Sequence, residues 1–597
     1  MLSPSAASRL EAARAFALAH PPSQPLTIVA ATRGAADDFA RAVARARPAT
    51  IGLSRFSLTQ LAARIAAPRL AGRGIAPASA LALEAVAARS AFETARRGDL
   101  AFLTPVAGAP GFPRALARSF GDLRLAGLSR ADLTAAGNGE GLRDVALLVS
   151  EAERELDEAH VADRTRLFEA AREAVASEVF LACPLVLLDI EIVSPVEESF
   201  VLALATAAPA VLATILPQDR DARRVWSAAG AELETRAAVG TPDLVAIQTH
   251  LFADVAPPVR TSDGSFEFFS APGEGRECVE IARRLLREAR RGVGFDEMAV
   301  LVRAPGHYLG LLEHALERAD VPACFERGTR RPHAAGRAFL ALLACAGEGL
   351  SANRFAEYLS LGQLPAADAP APGWVPPSDE LFAALVPRDV PAAVEDPVPT
   401  TVEPATDAQP AIAGTLRAPR QWERMLVEAA VIGGDPERWK RRLRGLAEEL
   451  RVRREEASRA DPDSSLTAAL TRDAAWLAHL SAFALPLVTE MAAWPERASW
   501  GEWLQRFEQL APRVLRAPAH VLRVLADLRP MAGVGPVGLD EVRAVLLERL
   551  RLLEAEPPAR RYGAVFIGTP AQARGRSFRV VFVPGVAERV FPQKPRQ

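Results

Sequence analysis

The feature that most constrains the fold is a short apolar run that recurs along the chain, typically followed by a turn and a helical pattern. Such runs occur at Leu26–Ala31, Val211–Leu216 and from Met298 onward, and Ala564–Gly568 and Val580–Val583 lie near the end of the chain. Apolar runs without polar interruption indicate strands buried on both faces, which is typical of parallel sheets. The sequence therefore predicts an α/β fold.

Long helical stretches separate these runs into two groups, and at 597 residues the chain is too long for one core. We therefore predict two α/β domains, each with a large helical insertion. Phe266–Phe269 is predicted as a further strand that opens the second domain. The predicted segments are a first α/β domain at 1–75 and 176–256, a helical insertion at 77–175, a second α/β domain at 265–350 and 560–597, a Pro/Ala-rich linker at 364–414 and a helical insertion at 415–555.

Charge composition argues against a protein-wide attraction to nucleic acid, because 71 basic residues oppose 73 acidic ones. Any such binding must be local. Nearly all basic residues are arginines, and the lysines are Lys440 and Lys594. This scarcity bears on catalysis, because phosphate-binding loops and many nucleases use a lysine.

The cysteines and the amino terminus favour a reduced compartment. Cys183, Cys278, Cys324 and Cys345 are scattered, without metal-ligand spacing or a disulfide framework. The amino terminus lacks a signal pattern, and the most apolar stretch, 179–193, is short and contains acidic residues. We predict a soluble cytoplasmic protein without a membrane partner.

Thr32, Arg33 and Gly34 follow the first predicted strand, where a phosphate-binding loop would lie. A working loop needs glycines around the phosphates, a lysine for the outer phosphates and a hydroxyl for the metal. Here Asp37 and Asp38 follow closely, and their carboxylates would repel a triphosphate. The sequence therefore predicts a degenerate nucleotide site.

Asp189 ends a predicted buried strand, where an aspartate can hold magnesium. A catalytic glutamate would directly follow this aspartate, but the next residue is Ile190. Glu191 comes one place later, and alternation along the strand turns it to the opposite face from a glutamate at position 190. The alternative, acidic residues that only cap a strand at the surface, stays open. Arg303 is predicted at the carboxyl end of another strand, where it can meet a ligand.

The second helical insertion combines Arg-rich helix faces with tryptophans. Its basic stretch is DPERWKRRLRGLAEELRVRREE, and its tryptophans include Trp439, Trp476, Trp494, Trp500 and Trp503. Arginines can hold phosphates and tryptophans can stack on bases. Tryptophans in helical blocks are also common core residues, so both interpretations remain open.

A polar, turn-forming motif lies between and after the last two predicted strands, at the strand ends where α/β folds place ligands. Its residues are Thr569, Ala571, Ala573, Arg574, Gly575, Ser577, Phe578, then VVFVPG, and Glu588, Arg589, Phe591 and Pro592.

This motif and the domain layout resemble superfamily 1 helicases of the UvrD-like kind. The family pattern is Thr-x-His-x-Ala-Lys-Gly-x-Glu-Phe, a strand, and Gly-x-x-Glu-Gly-x-Phe-Pro. Ala571 replaces its histidine and Ser577 its ribose-contacting glutamate. Asp189 resembles the family's magnesium aspartate and Arg303 its phosphate-sensing arginine. The resemblance implies two RecA-like domains, with Thr569, Arg574, Gly575 and Phe578 in a DNA-coupling motif.

Within that superfamily the chain is most similar to AddB- and RecC-type subunits of bacterial helicase-nucleases. The similarity also covers PGFPRALARSFGDLRLAGL, LLDIEIVSPVEESFVLALA, SAPGEGRECVEIARRLL and the RWKRRL helix. It implies DNA, as a duplex end or single strand, and a catalytic partner subunit as binding partners. Family members often continue into a PD-(D/E)XK nuclease domain, which we expect beyond this chain. ATP and magnesium sites would be vestigial, with no catalytic residue intact.

Three functional hypotheses follow. The first is a non-motor, helicase-like DNA-binding subunit or fragment of a helicase-nuclease that acts in double-strand-break repair and recombination. The second is a DNA-dependent ATPase in which Arg33 replaces the lysine, although a planar guanidinium substitutes poorly for a compact ammonium. The third is a protein-interaction scaffold without DNA binding.

Overall fold

The computed structural model describes residues 1–365 and 419–591, with short breaks at 48, 110, 138, 252–254, 329, 555–560 and 588–589. It is an α/β protein with two separate four-stranded parallel sheets and many helices. The predicted α/β class with parallel sheets is therefore confirmed. All but the first two residues of the predicted linker at 364–414 lie outside the described residues.

The N-terminal part of the chain builds the first sheet and a helical block. Its elements are α1 (Ala6–Ala19), β1 (Leu26–Ala30), α2 (Arg33–Arg45), β2 (Leu53–Ser57), α3 (Leu58–Gly72), β3 (Ala76–Pro77), α4 (Ala80–Arg97), α5 (Phe112–Leu125), α6 (Arg130–Ala136), α7 (Glu140–Glu158), β4 (Val161–Ala162), α8 (Arg164–Ala174), β5 (Leu185–Leu188), α9 (Pro195–Ala207), β6 (Val211–Thr214), α10 (Arg220–Ala228) and α11 (Pro242–His250).

The first sheet has the strand order β2-β1-β5-β6, with every pair parallel. The chain leaves this sheet after β2 and α3, forms the helical block α4–α8, and returns with β5 beside β1. Alternate residues of the central strands enter two different cores: Ile28 packs with α1 and α2, whereas Val29 packs with α3, α8 and α9. Helices therefore cover both faces, as continuous apolar strands require.

The C-terminal part builds the second sheet and a larger helical block. Its elements are α12 (Glu274–Arg290), β7 (Met298–Leu301), α13 (Pro305–Arg318), β8 (Ala323–Phe325), β9 (Arg330–Pro332), α14 (Ala334–Gly347), α15 (Ala352–Ser360), α16 (Pro419–Glu428), α17 (Pro436–Ala460), α18 (Ser465–Ala492), β10 (Arg497–Ala498), α19 (Trp500–Val514), α20 (Ala519–Asp527), β11 (Val537–Gly538), α21 (Leu539–Leu550), β12 (Leu552–Glu554), β13 (Val565–Gly568) and β14 (Val580–Phe582).

The second sheet has the strand order β14-β7-β13-β8, again all parallel. Two sequence-based expectations about it are wrong. Phe266–Phe269 does not form a strand, and Phe268 is 71% exposed. The run at Val580–Val583 forms β14 but is not buried, because β14 is an edge strand with one neighbour and Val581 is 45% exposed. An apolar pattern predicts an extended segment, but it does not supply a partner strand on each side.

The tryptophans of the larger helical block belong to its core. Trp422, Trp439 and Trp503 are fully buried there, and the indole of Trp439 donates a hydrogen bond to the Leu350 carbonyl at 3.0 Å. The indole of Trp503 donates to the Val537 carbonyl at 3.1 Å. Buried rings cannot stack on nucleic-acid bases, so the core interpretation of these tryptophans is correct.

Helix α18 is, within the described part of the chain, the one helix long and apolar enough to cross a membrane by length and composition. One face of α18 lies in the core of the larger helical block, where Leu477, Leu480 and Leu487 pack with the neighbouring helices. In the most apolar part of α18, 33% of the residues are buried. The cytoplasmic location stays a prediction.

A histidine pair lies at the junction of α14, α20 and α21. The rings of His333 and His520 meet edge to face with centroids 4.5 Å apart. His333 caps α14, since its Nδ1 accepts a hydrogen bond from the Gly336 amide at 3.0 Å. Burial, followed by His333 and Arg523, lowers the pKa of His520 to about 4. The folded protein therefore holds His520 neutral.

This lowered pKa predicts a loss of stability in mild acid. Below the ordinary histidine pKa of about 6.5, His520 binds a proton in the unfolded chain, whereas in the folded protein it stays neutral until about pH 4. Stability should be complete above pH 6.5 and fall by about 1–2 kcal/mol across this window, after allowance for solvent screening. Urea unfolding midpoints should show a flatter pH dependence in His520→Gln. The control variant His307→Gln, at an exposed position on α13, should keep the wild-type profile; an unchanged profile in His520→Gln would contradict the prediction.

Candidate functional site

The carboxyl ends of the first sheet's strands face a loop that leaves the second sheet after β13. We call this segment, Thr569–Arg579, the crossing loop. It contains most of the motif that resembles the helicase family. The ion pairs between this loop and the first sheet, the neighbouring Arg9–Asp189 pair and the pairs around Asp38 form one charged contact. We call this contact the inter-sheet seam.

Asp189 lies at the centre of one half of the seam, 2% exposed at the end of β5. Arg9 of α1 forms a bidentate pair with it, with Nε–Oδ1 and Nη2–Oδ2 distances of 2.8 Å. The Thr214 hydroxyl donates to Oδ1 at 2.8 Å, and the Gly575 amide donates to Oδ2 at 3.2 Å. Gly575 adopts a φ of 72°, a region that favours glycine, and a Cβ there would lie 3.3 Å from the Leu188 carbonyl oxygen.

These contacts bear directly on the predicted magnesium ligand. Each Asp189 oxygen already accepts two hydrogen bonds, and the guanidinium of Arg9 supplies the positive charge that a metal would bring. Across the described residues, no group of three or more His, Cys, Asp or Glu side chains has a metal-binding arrangement. The geometry therefore favours a structural ion pair over a metal site at Asp189.

Arg574 extends the seam to the next strand ends. It donates to the Asp189 carbonyl at 3.0 Å, to Glu191 Oε1 at 2.6 Å and to Asp219 Oδ2 at 3.1 Å. These side chains border an open cavity of about 360 Å³ that Gln218 also lines. Arg574 thus joins the crossing loop to residues that follow both β5 and β6.

Arg576 forms the most buried part of the seam, with 2% of its side chain exposed. It pairs with Glu326 through two 3.0 Å hydrogen bonds and with Asp38 at 3.3 Å, and its guanidinium lies 4.4 Å from the Phe566 ring centre. Arg561 also binds Asp38, at 2.8 and 3.1 Å. Asp38, predicted as a residue that repels triphosphate, therefore binds arginines from the chain's C-terminal part.

The first turn of α2 is covered by this pair. A Cβ placed on Gly34 would lie 2.1 Å from Arg576 Nη2 and 3.0 Å from Glu326 Oε1. The N-terminus of a helix after a sheet strand is the position that phosphate groups occupy in nucleotide-binding loops. Here a guanidinium–carboxylate pair lies against that position.

Thr32 and Arg33 have local structural contacts. The Thr32 hydroxyl caps α2 by accepting a hydrogen bond from the Ala35 amide at 3.2 Å. Arg33 donates to Asp37 at 3.2 Å and also to the Arg55 carbonyl. Arg33 is thus engaged with its own helix and the neighbouring strand.

The remaining predicted site residues have separate environments. Thr569 and Gln572 exchange hydrogen bonds of 2.8 and 3.3 Å that shape the start of the crossing loop. Phe578 stacks on Phe566 with centroids 5.3 Å apart. Arg303 is exposed after β7 and makes no ion pair or side-chain hydrogen bond within the described part of the chain. Glu588, Arg589 and Pro592 of the motif lie outside the described residues.

A second contact fixes the loop after β14. Glu277 accepts hydrogen bonds from the Tyr308 hydroxyl at 2.7 Å and from the Gly585 amide at 3.0 Å. Burial, together with the bond to Glu277, raises the pKa of Tyr308. Burial also raises the pKa of the Cys324 thiol to about 11, with Glu326 adding to the effect. Both groups stay protonated at neutral pH and have structural roles.

Sequence reasoning missed Arg9, Glu326, Arg561 and Arg576 as site residues. Arg576 adjoins the motif glycine, so its position was a usable signal. Arg9 gave none, because it reaches Asp189 across 180 positions of the chain. Contacts over such separations follow from the assembled topology.

The fold and the site together define an α/β protein whose two parallel sheets are joined through partly buried guanidinium–carboxylate pairs of Arg574, Arg561 and Arg576. A scan against protein-family models finds no match to this chain, and a search of curated proteins finds none either.

Proposed function

We propose that the chain is a non-motor, helicase-like DNA-binding subunit or fragment of a helicase-nuclease that acts in double-strand-break repair. In this proposal the two parallel sheets are RecA-like domains, and the nuclease lies beyond the chain. The observation that carries the proposal is the Arg576–Glu326 pair against the first turn of α2. A bound triphosphate would have to displace this pair and face the carboxylates of Glu326 and Asp38.

The seam also favours a fixed arrangement of the two sheets. Helicase motors use nucleotide binding and release to change the relation between two such domains. Here Arg576 and Arg574 of the crossing loop bind acidic residues on both sides of the cleft. Moving the sheets apart would separate Arg574 from Glu191 and Asp219 and would separate Asp38 from Arg561 and Arg576. Leaving partly buried charges without partners is costly. A scaffold that holds DNA without moving is consistent with this geometry.

The surface best suited to DNA is the N-terminal half of α17. Its basic side chains are Arg438, Lys440, Arg441, Arg442 and Arg444. The four arginines are exposed and make no ion pair within the described residues, whereas Arg451 and Arg453 farther along are paired with glutamates. Because the neighbouring Trp439 is buried, this surface would contact phosphates and not stacked bases.

Binding of duplex and single-stranded DNA as a function of salt tests the proposal. Each phosphate contact releases counterions, so the log–log salt slope should be steep in the wild type. In Arg441→Ala/Arg442→Ala/Arg444→Ala the slope should become shallower by about 2–3, since up to three contacts are lost. The matched control Arg453→Ala, at a paired arginine of the same helix, should bind nearly as the wild type does. Undetectable binding at low salt would favour the interaction-scaffold hypothesis.

ATP hydrolysis tests the second hypothesis. We expect no DNA-stimulated hydrolysis above background, because Arg33 is engaged with Asp37 and the α2 terminus is covered. Hydrolysis in the wild type that disappears in Arg33→Ala would establish the ATPase and refute the non-motor proposal.

A further inference from the structure

An open groove of about 430 Å³ runs between α14 and α21 on the larger helical block, away from the seam. Its floor is apolar and made of small or medium side chains: Leu340, Ala341, Ala344, Ala544 and Leu547. Leu547 is 45% exposed and contributes apolar surface to this floor. The volume lies in the range of about 300–1,000 Å³ found for ligand-binding pockets.

The rim of the groove carries four arginines and three acidic residues, and two of the arginines have no ion-pair partner within the described residues. Arg337 and Arg551 are exposed and make no side-chain ion pair or hydrogen bond within the described residues. Arg543 lies 3.8 Å from both Glu348 and Asp540, which is within ion-pair distance but too far for a hydrogen bond. Its Nη1 is buried without a hydrogen-bond partner.

Two of the three acidic side chains of the groove bind Arg354, which also lines it, and the third, Asp540, is exposed and lies 3.8 Å from Arg543. Arg354 binds Glu348 through hydrogen bonds of 2.9 and 3.0 Å and Glu357 at 2.9 Å. Arg337 and Arg551 therefore present guanidinium groups beside an apolar floor without a carboxylate in ion-pair contact within the described residues, whereas Arg543 pairs with Glu348 and Asp540.

We propose that this groove binds an acidic amphipathic helix of a partner protein. Helix recognition places apolar side chains in a groove between two helices, and the small side chains of Ala341, Ala344 and Ala544 permit close approach. Glutamates or aspartates beside the apolar stripe would pair with Arg337 and Arg551. DNA phosphates would satisfy the arginines but would leave the apolar floor unused, so a protein helix fits the observations better.

A synthetic helical peptide serves as the probe. It has about 20 residues, with leucines at i, i+3, i+4 and i+7 and glutamates on both flanks of that stripe. A peptide with lysines in place of the glutamates and a scrambled acidic peptide of the same composition are the comparisons. Fluorescence anisotropy with the full 597-residue chain should show the acidic amphipathic peptide binding about tenfold or more tightly than either comparison.

Variants then locate the binding. Arg337→Glu/Arg551→Glu should weaken the acidic peptide about tenfold or more, because two favourable charge pairs become repulsive. Both arginines are exposed, so this variant should keep the wild-type circular dichroism and unfolding midpoint. Ala544→Trp, which fills the groove, should also weaken binding. The control Arg438→Glu/Arg441→Glu reverses two charges on α17 and should leave peptide affinity unchanged.

Equal binding of the acidic and scrambled peptides would overturn the proposal, as would unchanged peptide affinity in Arg337→Glu/Arg551→Glu. A loss of DNA binding in that variant with peptide affinity unchanged would assign the groove to nucleic acid instead. The proposal does not rest on the function proposed above, since DNA binding is tested through α17.

Discussion

Replacing Arg576 with methionine should lower the free energy of unfolding by about 3–5 kcal/mol, the range measured when one partner of a buried ion pair is removed. The side chain is 2% exposed, and its removal leaves Glu326 without its bidentate partner. Asp38 loses less, because Arg561 still binds it. The loss of stability therefore comes mainly from the Glu326 carboxylate, which is left without its bidentate partner.

Urea unfolding followed by far-UV circular dichroism measures the stability change, and hydrogen exchange of β13 and the crossing loop locates it. Arg579→Met is the matched control, because Arg579 is exposed and pairs with Glu297 at 3.2 Å on the surface. Its effect should stay below about 1 kcal/mol. Arg576→Met/Glu326→Leu should recover much of the stability by removing both charges. A loss no larger than that of Arg579→Met would show that the seam is not a stabilising contact.

The second large effect is expected at Asp189. Replacing it with alanine should also lower the free energy of unfolding by about 3–5 kcal/mol, because Arg9 is buried and would be left unpaired. The Gly575 amide and the Thr214 hydroxyl would lose their acceptor as well. Urea unfolding of Asp189→Ala, with Glu191→Ala at an exposed neighbouring carboxylate as the control, measures the difference.

Adding magnesium tests whether Asp189 belongs to an ion pair or to the metal site that the sequence suggested. A ligand that binds only the folded state stabilises it by RT ln(1 + [L]/Kd), so the thermal midpoint rises with ligand concentration. Because Arg9 already occupies the Asp189 carboxylate, magnesium should leave the wild-type thermal midpoint unchanged. A midpoint that rises with magnesium in the wild type and not in Asp189→Ala would restore the metal assignment.

The residues of the crossing loop that resemble a helicase motif make contacts within the protein. Thr569, Arg574 and Gly575 keep the positions of a motif that resembles a coupling element between nucleotide and DNA. In the structure Arg574 and Gly575 bind carboxylates and backbone of the first sheet. Through these contacts the crossing loop connects the two sheets. The proposed DNA contact lies elsewhere, on α17 of the larger helical block.

Local sequence patterns predicted the elements that are buried on both sides. β5 and β13 are continuous apolar runs, β1 is apolar except for Thr27, and all of their residues are buried. Patterns failed at Phe266–Phe269 and at β14, because burial there depends on a neighbouring strand that local sequence does not specify.

The sequence by itself determined the parallel-sheet class, the alternation of sheet and helical segments, and the absence of a lysine where a phosphate-binding loop would need one. These properties depend on residues close together in the chain, where side-chain size, polarity and periodicity act directly. Only the tertiary structure decided the partners of the charged residues. Asp189 binds Arg9 rather than being left open to a metal, and Arg576 covers the start of α2. Burying a charge without a partner costs free energy, so the role of a charged residue depends on which opposite charge the fold places next to it.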